Sequence, residues 1–157
     1  MANRPIKVRD EFTHYSFYDA PGWQASQKAE LCEALARFVE SEFSRERFTK
    51  KLYQLLHLYV FGHTAEYDID GFYDAWFSST ERRVAWIERL LTYNRSTHIS
   101  EWRDFERCFA RWLETSGQHE HIKQVAERDV ERRERAELAR LLAKYPDVRQ
   151  EIYEEIA

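Results

Sequence analysis

Glycine and proline are nearly missing from this chain, at four and three in 157 residues. Neither GxGxxG nor GxxxxGK[ST] occurs, which excludes nucleotide sites built on glycine-rich phosphate loops. The same scarcity, beside abundant Leu, Ala, Glu and Arg, predicts helices joined by short connections. Cysteine is also sparse. Cys32 and Cys108 stand outside any CxxC or CxxH spacing and inside apolar-periodic segments. Reduced core thiols are therefore expected, with a disulfide between them the lesser alternative. No stretch approaches the roughly 18 to 20 apolar residues of a membrane span. The opening MANRPIKVRDEF has no apolar leader core, so a soluble, cytoplasmic protein is expected. Charge of one sign is missing as well: 24 basic and 28 acidic residues leave a net charge of −4, spread without a basic arm. That argues against coating nucleic acid by bulk charge.

What remains is helical periodicity. The length suits one domain that buries roughly 70% of its unfolded surface. Residues 1–23 show no helical period; FTHYSFYDAPGW reads as an aromatic strap closed by a Pro21-Gly22 turn. From about residue 25, Leu31, Cys32, Leu35, Phe38, Val39 and Phe43 mark one helical face. Residues 48–61 are apolar on nearly every side, predicting an enclosed central helix stopped by Gly62. Ser78 and Glu81 have capping-box spacing ahead of Val84, Trp86, Ile87, Leu90 and Leu91. Ser100 is placed to cap the next helix, whose face is Trp102, Phe105, Cys108, Phe109, Trp112 and Leu113.

The last third differs from the rest. Ile122 and Val125 point one way, while Leu138, Leu141, Leu142 and Tyr145 point nearly opposite. Such a helix either packs its ends on different bodies or breaks between them. After Pro146, Val148, Ile152 and Ile156 predict a short helix folded back on the Leu138–Tyr145 face. The fold class is all-α: a compact multi-helix bundle over 24–116, an extended aromatic segment over 1–23, and a C-terminal helical arm over 117–157 that is not an independent domain.

Four places bear on function. AEYDIDGFYDAWF sets Glu66, Asp68, Asp70 and Asp74 at the ligand positions of a calcium loop with Gly71 at its sixth. The twelfth position is Phe77, so the bidentate carboxylate is missing, and the favoured reading is an acidic helix start capped by Asp68 or Asp70. The histidines offer little. His119 and His121 are two apart and point away from each other on a helix, and His57 reads as a core histidine. The Glu11-x-x-His14 spacing of di-iron bundles occurs once only.

Arginine outnumbers lysine 18 to 6. Arg103, Arg107 and Arg111 form an i, i+4, i+8 ridge, with Arg82 and Arg83 on the preceding helix, a geometry that suits phosphate backbones. The competing reading is a solvated face in which Asp104 pairs with Arg107, Arg103 with Glu106 and Arg111 with Glu114. Aromatics make up 15% of the chain, more than one small helical core is expected to need, and aromatics anchor interfaces. The expectation is a non-enzymatic adaptor or accessory subunit, with no cofactor, no catalytic residue and no small-molecule ligand. It joins a protein partner or its own copies through Leu138, Leu141, Leu142, Tyr145, Val148, Ile152 and Ile156. The alternatives are a nucleoprotein subunit using the arginines and a metal-dependent enzyme using residues 66–74.

Overall fold

The computed structural model describes residues 6–13, 17, 22–59, 68–94 and 103–156. Among them are seven α-helices and no strand: α1 (Gly22–Glu40), α2 (Lys50–Tyr59), α3 (Ile69–Phe77), α4 (Thr80–Asn94), α5 (Arg103–Thr115), α6 (Gln118–Lys144) and α7 (Pro146–Ile156). Expectations resting on His14, Pro21, Gly62, Glu66, Ser100 and Trp102 fall outside these residues. No described helix is long and apolar enough to cross a membrane.

The periodic face of α1 becomes one wall of the core, with Leu31, Cys32, Leu35 and Phe38 all fully buried. The helix runs from Gly22, so its start lies ahead of the first apolar repeat. It ends without a glycine. Glu42 and Phe43 adopt left-handed backbone, φ 57° and 58°, and the Phe43 N–H donates back to the Phe38 carbonyl at 3.0 Å, the bond that closes a Schellman turn. Left-handed backbone costs a non-glycine residue roughly 1–2 kcal/mol. The offset lies in Phe43 itself, whose buried ring meets Phe38 at 5.1 Å and Phe77 at 5.5 Å.

That contact belongs to an aromatic cluster joining four helices or turns. Phe38 of α1, Phe48 after the 3-10 turn Arg45–Arg47, Phe72 and Phe77 of α3 and Trp86 of α4 are all buried. A second group ties the N-terminal segment down. Phe12, fully buried at the end of the turn Asp10–Phe12, lies 6.5 Å from Phe109 and 6.0 Å from Trp112. Arg9 adds a polar clasp, its Nε donating to Glu33 at 2.8 Å and its Nη2 to Glu40 at 2.7 Å. These contacts hold Glu33 below its usual carboxylate range and raise Arg9, although burial opposes both shifts. Residues 7–12 thus lie across α1 and α5.

Two expectations about the core are corrected. Residues 48–61 do not form the enclosed central helix. The helix starts at Lys50, and Gln54 and His57 face solvent, because one stripe of α2 is polar. The middle of the bundle is shared by α4, packed on α3, α5 and α6, and α5, packed on α1, α4 and α6. Nor are the described aromatics interface anchors in the main: nine Phe and two Trp are buried, which makes the aromatic excess chiefly a matter of core volume.

Candidate interaction surface

The N-terminal half of α6 is fastened to the bundle. Ile122 and Ala126 are buried on it, and polar contacts flank them. His119 Nε2 meets Glu88 of α4 at 2.9 Å, and His121 Nε2 meets Glu42 at 3.4 Å. The two imidazoles thus take separate partners, as their spacing requires. Thr80 Oγ1 donates to Asp129 at 3.0 Å, and Arg133 pairs with Glu81. The cleft between α1, α4 and α6, lined by Val39, Phe43, Ile122 and Val125, has about 20 Å³ of free volume, room for one water.

Beyond Arg133 the character of α6 changes while its backbone does not. The helix is unbroken to Lys144, yet residues 131–156 are all exposed except the half-buried Leu142. The turn from Ile122 to Leu138 is 16 residues, about 160° of rotation at 100° each, so the second apolar face looks away from the bundle. Leu138 is 55% exposed, Leu141 38%, Tyr145 47%, Val148 42%, Ile152 43% and Ile156 78%. The exposure of Ile152 and Ile156 corrects the expectation that α7 folds back to cover α6. One residue, Tyr145, separates the helices, at φ −124° and ψ 76°, and α7 starts at once on Pro146, whose missing N–H is no loss at a first helical turn. Among the described residues, every large apolar side chain that is exposed belongs to the stretch Val130–Ile156.

The remaining expectations are placed as follows. Asp68 caps α3, its Oδ1 accepting from the Gly71 N–H at 2.6 Å. Asp70 pairs with Arg45, and Asp74 is exposed. Among the described residues no group of three His, Cys, Asp or Glu converges as metal ligands. Asp68→Ala is expected to cost about 1 kcal/mol through the lost cap. The thermal midpoint of wild-type protein should be indifferent to calcium or chelator, and a calcium-dependent rise would restore the metal reading.

Arg82 and Arg83 do not point along a ridge. Arg82 Nη1 donates to the Asp74 carbonyl at 2.8 Å, and Arg83 Nε to the Phe77 carbonyl at 2.9 Å. They close the C-terminus of α3, where carbonyls lack helical partners. The α4 cap is Ser79, whose Oγ accepts from the Arg82 N–H at 3.2 Å, one residue later than the capping-box spacing suggested. Ser78 instead ends α3. Arg107 and Arg111 are exposed on α5, and Arg103 opens that helix.

The pair expected between Asp104 and Arg107 is replaced. Asp104 accepts from Lys28 of α1 at 2.8 Å, with Lys28 only 3% exposed. Glu106 is itself buried at 3% exposure, in line with Ala110 and Leu113, and burial pushes its pKa up to about 7. Cys32 is buried and Cys108 half-buried. Both are free thiols, and burial, with Cys108 as hydrogen-bonding neighbour, holds Cys32 well above the usual thiol range. A thiol in that state is a poor nucleophile.

No family model, no curated protein and no solved structure matches the chain.

Proposed function

We propose that this protein is a non-enzymatic adaptor or accessory subunit that holds another protein chain against the apolar stripe of its C-terminal arm. The observation that carries the reading is the confinement of exposed large apolar side chains, among the described residues, to Val130–Ile156. A bundle that buries its aromatics so fully has no packing reason to leave Leu138, Ile152 and Ile156 in water. Burying such side chains is worth roughly 1.5–3 kcal/mol each, and covering an amphipathic helix with an apolar surface is a recurrent mode of protein recognition. The two free thiols suit a reducing compartment, so the same reading places the protein in the cytoplasm.

The test compares companions recovered from native lysate by the full chain and by its Leu138→Glu/Ile152→Glu variant. Both substitutions sit on exposed positions, so the thermal midpoint should stay where it is. The variant is expected to lose companions that the parent retains at both low and high salt. Identical recovery by the two proteins removes the reading. Companions that are nucleic acid, retained by the variant and released by salt, would favour the arginine reading through Arg107 and Arg111.

A further inference from the structure

Resting on the reading of the arm as a docking surface, we infer that its occupant is the arm of a second copy of this chain, laid antiparallel about a two-fold axis at Tyr145. Leu138 and Leu141 lie three apart on α6, and Val148 and Ile152 four apart on α7, so each helix carries its pair on one face, with Tyr145 at the corner between them. Each is more than a third exposed, and α7 packs appreciably on no described element but the end of α6.

Charge selects the partner and its direction. The last eleven residues of α6, 134–144, carry three basic and two acidic residues, and the eleven of α7 carry four acidic and one basic. Two arms side by side in the same direction would set like charge on like. Reversed, each cationic segment lies on the other chain's anionic one, twice over, the self-complementary arrangement that a two-fold interface demands. Centring the pair on Tyr145 brings residues whose numbers sum to 290 opposite each other. Leu138 then faces Ile152 of the second copy, Leu141 lies by its Val148, and Arg135 faces its Glu155. No cation stands in the last turn of α7, where carbonyl dipoles and Glu154 and Glu155 accumulate negative charge. The second copy supplies the missing arginine. Arg135 and Arg140 already meet Glu131 and Glu137 along their own helix, but such exposed pairs hold weakly and exchange at little cost. The faces over residues 138–144 and 146–152 each span roughly 10 Å of helix, so a small interface with a dissociation constant on the order of micromolar is expected.

The experiment is sedimentation equilibrium of the full chain across concentrations bracketing that constant. A monomer–dimer equilibrium is expected, weakened about 30-fold or more by Leu138→Glu with the melting midpoint unmoved. Arg135→Glu and Glu155→Arg should each weaken the dimer several-fold, and the two together should restore it. A dimer insensitive to Leu138→Glu, or a double variant no better than the singles, overturns the proposed pairing. A chain that stays monomeric at the highest concentration overturns it too. In that last case the adaptor reading stands if Leu138→Glu/Ile152→Glu still strips companions in the capture experiment, and falls with the dimer if it does not.

Discussion

Glu106→Gln is expected to stabilise the protein at pH 8 and to do little at pH 4.5. Glu106 is 3% exposed on the inner arc of α5, no described cation or donor reaches its carboxyl, and its pKa stands at about 7. The folded state therefore binds the Glu106 proton more tightly than the unfolded chain, where the group titrates near its ordinary value of about 4.3. The sign follows: stability from this group is fully present below the unfolded pKa and is lost as pH rises to about 7. Ionising it inside the fold costs on the order of 3 kcal/mol at pH 8. A neutral amide of the same shape is spared that cost. Thermal melts at the two pH values check it, since about 3 kcal/mol moves the midpoint of a chain this size by roughly 6–12 °C. Equal effects at both pH values would show that Glu106 is not the titrating group.

Phe77→Ala should be the most damaging single substitution in the core. Its ring is fully buried and lies 5.0 Å from Phe38, 5.5 Å from Phe43, 5.4 Å from Phe48 and 5.3 Å from Trp86. Truncating a ring in such a site costs about 3–5 kcal/mol, the transfer of the lost atoms plus the cavity they leave. Edge-to-face partners lose a further share of about 0.5–1.5 kcal/mol per pair. Set against a total stability of roughly 5–15 kcal/mol, that endangers the fold. Phe77→Leu, which keeps most of the volume, should cost less than half as much. Denaturant unfolding of both variants decides the matter: a loss under about 1 kcal/mol for the alanine would mean that the cluster is not the packed centre.

Local features were the legible ones. The Asp68 cap is written into Asp-x-x-Gly, where one carboxylate needs only an amide three residues on. The opposition of Ile122 to Leu138 follows from counting residues, and it holds because α6 never breaks. Charge pairing failed for the converse reason. Asp104 has Arg107 a turn away in sequence, yet the tertiary approach of α1 offers it Lys28, 76 positions distant. Glu106 was misread with it, because the buried arc of α5 is wider than its large apolar residues alone describe: Ala110 and Glu106 lie on it too. The Ser78 cap missed by one residue, since two adjacent serines compete and only the geometry of the α3–α4 corner selects Ser79. The aromatic excess misled through size. Phe rings fill volume between short helices, and from sequence a ring destined for a core looks the same as one destined for a partner.

The unbroken run of α6 also makes it a lever. Its root is pinned by Ile122, Ala126 and the Thr80–Asp129 bond, so anything gripping its far end is set at a fixed bearing to the bundle. A single residue inserted between Arg133 and Leu138 would swing the grip by about 100° and lift it roughly 1.5 Å, leaving every contact chemically intact but aimed elsewhere.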